Sequence, residues 1–187
     1  MESALLISPN SIDANFNLSL LLLLSGDYKN GWLKYEWRLL LSNFQNHCSI
    51  GERWNGDSSL KNKSILLTAE QGLGDTIQFS RYASLVKSLG AQVYLHVPDP
   101  LVEIMKTING VDDVIPISKK PDFCDFHCPL MSLPMIFGTD LNSIPMSEGY
   151  INIKSHEKNS IQNTIITKKL KVGIAWSGSK HPSVVNN

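Results

Sequence analysis

The sequence predicts an α/β protein, with a mostly parallel sheet over residues 63–153 and a helical hairpin over residues 1–45. Two observations support this fold class. From Lys63 onward, short apolar runs of strand length alternate with longer segments of helical periodicity, which is typical of parallel sheets with right-handed crossovers. A glycine-rich turn, residues 71–76, directly follows the first of these runs, where such a sheet places its first strand-to-helix connection.

Two helical segments and the turn between them predict the hairpin. Residues 11–25 are apolar nearly all round, so we expect a helix that is buried on most sides. Gly26 suits the left-handed position that ends a helix. Asp27 is a favourable N-cap for the next helix, residues 28–41.

The remaining elements follow from the same patterns. Residues 46–62 contain Gly, Asn, Asp and Ser, and we expect a linker that packs through Trp54. The predicted strands are residues 64–69, 92–97, 114–117 and 126–130, with helices at residues 76–89 and 99–110. In the second of these helices, Asp99 is expected to be the N-cap. Residues 154–187 are predicted to hold a connecting helix and the first strand of a second α/β domain.

Composition argues against several functional classes. The chain has 187 residues with 17 basic and 17 acidic side chains, whereas nucleic-acid and anionic-membrane binders usually show a basic excess. Three cysteines, Cys48, Cys124 and Cys128, do not form a disulfide framework, so we expect a reducing, cytoplasmic compartment. No second ligand pair completes a zinc site, and no metal is expected. The leucine-rich run at residues 18–24 is too short to span a membrane.

The glycine-rich turn is the predicted functional centre. Gly72 and Gly74 allow the backbone to approach a ligand or to take a positive φ, and the following helix presents free N–H groups. Asp75 and Gln78 have the spacing of a capping box, so Asp75 has a structural role open to it as well as a catalytic one. Ile77 occupies the place of the third glycine of the dinucleotide fingerprint, which argues against a nicotinamide site.

Longer stretches resemble known families. Gly26-Asp27-Tyr28, with Gly31 three positions on, resembles the inter-helix turn of a tetratricopeptide repeat. The stretch from Glu70 to Tyr82 (EQGLGDTIQFSRY) is similar to tetratricopeptide proteins fused to a heptosyltransferase-like glycosyltransferase domain of the GT-B type. Trp54-Asn55-Gly56, Phe126-His127-Cys128-Pro129-Leu130, Leu133-Pro134, Phe137-Gly138-Thr139 and Val172-Gly173-Ile174-Ala175-Trp176-Ser177-Gly178 fit the same family.

The resemblance implies a fold and roles for particular residues. It implies two Rossmann-like domains, of which the first receives a glycan or protein hydroxyl acceptor and the second binds a nucleotide-sugar. Asp75 would be the general base, and no cofactor is implied. The substrate-binding residues carried over are Gln71, Gly72, Gly74, Gln78, Arg81 and His127, with Ser177 and Gly178 near the donor diphosphate. For Arg81 a solvated or stacked side chain is the alternative, and for His127 a position at the edge of the core or in the lining of the cleft.

The sequence also departs from this family. After Ser177-Gly178 the family continues with a His and an Asn-Asp-Arg pattern, whereas this chain runs His181-Pro182 and stops at Asn187. The expectation is therefore an acceptor-side half that is truncated and inactive alone. Two alternatives stay open: a non-catalytic module that binds a protein partner through the helical hairpin, and a different Rossmann enzyme that uses a nucleotide cofactor.

Overall fold

A computed structural model describes residues 2–42, 50–145 and 149–152 of the chain. The helices are α1 Glu2–Ile7, α2 Ile12–Ser25, α3 Tyr28–Tyr35, α4 Leu73–Phe79, α5 Ala83–Ser88, α6 Val102–Met105 and α7 Leu133–Ile136. The strands are β1 Glu52–Arg53, β2 Ser64–Thr68, β3 Gln92–Val97, β4 Asp113–Pro116 and β5 Phe126–Pro129. The helix and strand predicted within residues 154–187 lie outside the described residues.

The five strands form one parallel sheet in the order β1-β5-β2-β3-β4. This confirms the α/β prediction. Strand β1 was not predicted, because it lies inside the expected linker and two residues are too short to show an alternating pattern. It joins the sheet edge through two backbone bonds, Glu52 N–H to Asp125 O and Trp54 N–H to His127 O, each 2.9 Å. Trp54 anchors this segment as expected, since it is only 3% exposed.

One face of the sheet and the helices that follow β2 and β3 enclose the core. The strands contribute the alternate residues Ile65, Leu67, Val93, Leu95, Val97, Phe126 and Cys128, all buried. The helical segments differ from those that the sequence predicted. The helix after β2 begins at Leu73 rather than Thr76, and a 3₁₀ turn at Ser80–Tyr82 divides it.

The helix after β3 is also shorter than expected. It begins as a 3₁₀ turn, Asp99–Leu101, and α6 ends at Met105 instead of reaching Gly110. Asp99 does not cap it. The N-cap position belongs to Pro98, and the Asp99 carboxylate instead accepts the backbone N–H of Ser118 at 3.3 Å. The carboxylate thus holds the loop after β4 rather than the helix that it precedes.

Helices α2 and α3 form the predicted hairpin, with the predicted turn between them. Gly26 has a φ of 89°, in the left-handed region that favours glycine. The Asp27 carboxylate accepts the backbone N–H of Asn30 at 3.2 Å and so caps α3. Helix α3 stops at Tyr35, six residues before the predicted end, and the chain continues as a 3₁₀ helix, Glu36–Leu40.

The expectation that α2 is buried on most sides is wrong. Leu20, Leu21 and Leu24 are exposed, at 44%, 48% and 86%, while Asn15 and Ser19 are the buried residues of this helix. Asn15 is buried because its side chain is satisfied there: its amide donates to Pro9 O and Ser11 O, and its oxygen accepts from Lys34. The helix therefore buries a polar stripe and presents leucines on another side.

Arg38, in the 3₁₀ helix after the hairpin, joins the hairpin to the sheet. Its side chain is fully buried and forms two hydrogen bonds to the Glu70 carboxylate, Nε to Oε1 at 3.0 Å and Nη2 to Oε2 at 2.8 Å. Nη1 donates to Glu36 at 2.6 Å, and Nη2 donates to Ser132 Oγ at 2.9 Å. Burial alone would lower the pKa of Arg38, but the Glu70 and Glu36 carboxylates raise it above its ordinary value.

A row of aromatic rings crosses the same interface. Its members are Phe16, Tyr35, Trp32, Phe79, Tyr82, Phe137 and Trp54, and neighbouring ring centroids are 5.7–6.5 Å apart. The first three rings belong to the hairpin and the last four to the α/β part of the chain. Such ring pairs contribute about 0.5–1.5 kcal/mol each beyond their buried area. The hairpin and the sheet therefore share one continuous packed interface.

At the amino ends of the strands, Asp125 joins the beginnings of β2 and β5. Its carboxylate accepts the backbone N–H of Ser64 at 2.8 Å, the Ser64 hydroxyl at 2.9 Å and the Lys63 ammonium at 3.1 Å. These donors stabilise the ionised form. They lower the pKa of Asp125 to about 2, with the backbone N–H of Ser64 making the largest contribution.

Asp125→Asn is expected to lower stability in a pH-dependent way. Because the pKa of Asp125 is depressed in the folded chain, its contribution is present above the unfolded-state pKa of about 4 and is lost as the pH falls toward 2. Urea unfolding at intervals from pH 6 to pH 2 should show the difference between wild type and variant shrinking through this window. The exposed Asp122→Asn is the control for removing a carboxylate, and a pH-independent Asp125→Asn difference contradicts the assignment.

Candidate functional site

The glycine-rich turn lies at the carboxyl edge of the sheet, between β2 and α4. Gly72 is the N-cap of α4, and Gly72, Leu73 and Gly74 are all exposed. Neither glycine has a positive φ, and a side chain added at Gly74 would meet no atom within 4 Å. A positive φ, one of the two reasons expected for glycine at these positions, is therefore excluded. What they do is leave the start of the helix bare to solvent.

Asp75 is the third residue of α4, not its N-cap. Its Oδ2 accepts the backbone N–H of Gly72 at 3.1 Å, so the carboxylate caps the start of its own helix. The expected pairing of Asp75 with Gln78 is wrong, because the helix begins three residues earlier than the sequence indicated. Asp75 is half-buried, and its Oδ1 has no hydrogen-bond partner among the described residues.

Glu70 and Gln71, which precede the turn, are bonded to other elements. Glu70 receives Arg38 and also the backbone N–H of Met131 at 3.1 Å, so its carboxylate is fully occupied. Gln71 was expected to bind substrate, but its amide donates to the hydroxyl of Tyr35 at 2.9 Å. Burial raises the pKa of Tyr35, so this hydroxyl keeps its proton. Both residues fasten the turn to the hairpin.

Arg81 and His127 lie away from the turn itself. The Arg81 guanidinium stacks on the ring of Tyr150 at 4.9 Å, and its Nε donates to Gln78 O at 2.9 Å. This is the stacked alternative considered for Arg81. His127 pairs with Leu66 in the middle of the sheet, and its Nδ1 lies 3.2 Å from Gly51 O. Burial lowers the pKa of His127.

Two cavities lie between α3 and the loop after α7, and α4 contributes to the lining of the smaller one. The larger has a volume of about 430 Å³ and the smaller about 210 Å³, and both are lined by Tyr28, Trp32, Thr139 and Asp140. Because they share these four residues, we treat them as one groove, called the hairpin groove. Gln78 and Arg81 line its smaller part, whereas Gln71, Gly72, Gly74 and Asp75 line neither part.

Most residues of the hairpin groove are not evident from the sequence pattern. Tyr28 and Trp32 carry a recognisable signal, because two aromatic residues four apart lie on the same side of a helix. Thr139 and Asp140 carry none, because their position depends on how the loop after α7 folds back. Ser177 and Gly178, expected near a donor diphosphate, lie outside the described residues.

Metal and membrane sites are not found in the part of the chain that the structure describes. Within residues 2–42, 50–145 and 149–152, no three His, Cys, Asp or Glu side chains come together as metal ligands. Cys124 and Cys128 are buried, and burial raises the pKa of the Cys128 thiol. Among these same residues no helix is long and apolar enough to cross a bilayer.

Asp75→Ala is expected to destabilise the chain by about 1 kcal/mol, because the Gly72 N–H loses its acceptor at the start of α4. Asp75→Asn keeps an oxygen in the same place and should stay within about 0.5 kcal/mol of wild type. Urea unfolding of both variants measures this difference. Asp57→Ala, at an exposed carboxylate without a hydrogen bond to any described residue, is the control, and equal effects of Asp75→Ala and Asp57→Ala would exclude the capping role.

The site therefore combines three features at one sheet edge. A helix start is exposed to solvent, a half-buried carboxylate has one oxygen that no described residue bonds, and an aromatic groove begins one turn further along α4. No protein-family model, curated protein or solved structure matches the chain.

Proposed function

We propose that residues 63–153 form the Rossmann-like, acceptor-side domain of a GT-B glycosyltransferase, preceded by a tetratricopeptide-like hairpin. The observation that carries the proposal is the state of Asp75. One carboxylate oxygen is bonded to Gly72 N–H at 3.1 Å, so the side chain is held in place, and the other has no partner among the described residues. A positioned, half-occupied carboxylate at the carboxyl edge of a parallel sheet is suited to act on a ligand.

The proposed chemistry is transfer of a sugar from a nucleotide-sugar to a hydroxyl. Oδ1 of Asp75 takes the proton of the acceptor hydroxyl as the acceptor oxygen bonds to the anomeric carbon of the donor. The bond from that carbon to the diphosphate breaks, and the nucleoside diphosphate leaves with its electron pair. General bases of this kind contribute about 10²–10⁴-fold to a rate.

Gly72 and Gly74 support this role by leaving space. Their exposed backbone lets an acceptor approach the start of α4, whose N–H groups and positive dipole end favour partial negative charge. Ser177 and Gly178 are proposed to lie near the donor diphosphate, by the resemblance described above. No metal enters the proposal, because helix N-termini and basic side chains can stabilise the leaving diphosphate.

A second candidate function is a module that binds a protein partner without catalysis. The observation that favours it is the exposure of Leu20, Leu21 and Leu24 on α2, because clustered exposed apolar residues mark interaction surfaces. This alternative gives the second oxygen of Asp75 no role, since capping of α4 uses Oδ2 alone. We therefore rank glycosyl transfer first.

Asp75→Asn in the full-length gene product that contains this chain tests the proposal. Release of nucleoside diphosphate from a panel of UDP-, GDP- and ADP-sugars should depend on added acceptor, and the variant should be at least about 100-fold slower. The stability of Asp75→Asn stays near wild type because Asn preserves the cap, so a loss of rate reports the base. Asp57→Asn is the control and should leave the rate unchanged.

The proposal is overturned by either of two results. One is the absence of acceptor-dependent nucleotide release from every donor in the panel. The other is full activity of Asp75→Asn, which would leave Asp75 with the helix cap as its whole role.

A further inference from the structure

The hairpin groove presents an aromatic surface, and other aromatic rings pack against the side of it that faces the core. Trp32 contacts Tyr35 and Phe79 edge-on, with ring centroids 5.7 and 6.1 Å away and interplanar angles of 90° and 89°. Tyr28 lies four residues earlier on the same side of α3 and is half-buried. A ligand that packs on these two rings meets side chains whose positions are already fixed, which reduces the entropy lost on binding.

Polar groups with unused hydrogen-bonding capacity surround this surface. Thr139 is only 6% exposed, and the Tyr82 hydroxyl lies 2.8 Å from its Oγ1. One hydroxyl of this pair donates to the other, so one hydrogen is left without an acceptor among the described residues. Asp140 accepts three bonds from Asn142 and Ser143 through Oδ1, and its Oδ2 has no partner in the part of the chain that the structure describes.

The exposed amide of Gln78 adds a donor and an acceptor. Its side chain has no hydrogen bond to any described residue, and it lines the smaller part of the groove together with Trp32 and Thr139. The larger part, at about 430 Å³, falls within the range of about 300–1,000 Å³ typical of small-molecule sites. The groove thus pairs a flat apolar surface with a hydroxyl, a carboxylate and an amide.

From this combination we infer that the hairpin groove binds a neutral saccharide. The C–H face of a sugar ring packs on aromatic rings, while its hydroxyls act as both donors and acceptors toward groups such as those of Thr139, Asp140 and Gln78. Three charged side chains line the groove. Lys29 and Asp140 carry opposite charges, and the Arg81 guanidinium is stacked on the ring of Tyr150, so the lining does not select a strongly charged ligand. The inference rests on the proposed function, for which it names the acceptor class.

A peptide fits the groove less well. An extended peptide needs unpaired strand-edge backbone groups, and within the described residues the groove is lined by helices and loops instead. A helical peptide needs a continuous apolar surface, which the polar groups of Thr139, Asp140 and Gln78 interrupt. The groove therefore favours the glycan over the protein among the two acceptor types implied by the resemblance.

The groove also leads toward Asp75. Gln78 is three residues after Asp75 on α4, which corresponds to a rise of about 4.5 Å along the helix axis. Residues three apart on a helix are neighbours on its surface. Because Gln78 lines the smaller part of the groove, a saccharide bound there lies beside the segment of α4 that carries Asp75, and the proposal directs its reacting hydroxyl toward Oδ1.

Saturation-transfer NMR with a panel of mono-, di- and trisaccharides of glucose, galactose, mannose and N-acetylglucosamine tests the inference on the full chain. At least one member should bind wild type, and Tyr28→Ala and Gln78→Ala should each weaken its binding about tenfold. Phe123→Ala and Gln92→Ala, at an exposed aromatic residue and an exposed glutamine outside the groove, should leave it unchanged. Circular dichroism checks that each variant is folded.

Different outcomes test the saccharide-binding inference and the general-base proposal. Binding that survives Asp75→Asn but is lost in Tyr28→Ala supports the groove even where no sugar is transferred. Asp75-dependent transfer whose acceptor KM is unchanged in Tyr28→Ala and Gln78→Ala overturns the groove and leaves the proposed function standing. Absence of binding by the whole panel, or displacement of a bound saccharide only by apolar peptides, also overturns the inference.

Discussion

The buried ion pair between Arg38 and Glu70 is the interaction on which the rest of the structure depends. A guanidinium without any exposed surface is stable only if its donors are bonded, and here Glu70, Glu36 and Ser132 accept them. Glu70 lies two residues after the end of β2, and Ser132 lies three residues after the end of β5. One side chain from the helical segment therefore holds together the carboxyl ends of two adjacent strands, and it does so at the edge where parallel sheets bind ligands.

The attachment of the hairpin to the sheet forms one side of the hairpin groove. Because Arg38 and the aromatic row hold α3 against the sheet, Tyr28 and Trp32 face the loop that carries Thr139 and Asp140. The hairpin groove exists only in this arrangement, and neither the helices nor the sheet would form it alone. Glu70 and Gln71 are used for this attachment, which leaves Asp75 as the carboxylate of the turn segment with an oxygen that no described residue bonds.

The sequence predicted what depends on local pattern. Strand β3 was placed to the residue and β2 to within one, and Gly26 and Asp27 end and begin their helices as expected. It misjudged what depends on distant contacts. The start of α4 was placed three residues late because Gly72, without a side chain, gives no capping signal, and α2 looked buried because leucines outnumber the polar residues that it buries. Arg38 was missed because its partner is 32 residues away.

A double-mutant cycle on Arg38 and Glu70 tests the central claim most directly. Unfolding of wild type, Arg38→Met, Glu70→Gln and the double variant should show each single change costing about 3–5 kcal/mol, and the double much less than their sum. The exposed pair Lys87–Asp112, 2.7 Å apart, is the matched control, for which a coupling below about 1 kcal/mol is expected. Additive effects at Arg38 and Glu70 would contradict the account, because the attachment of the hairpin would then not depend on this pair.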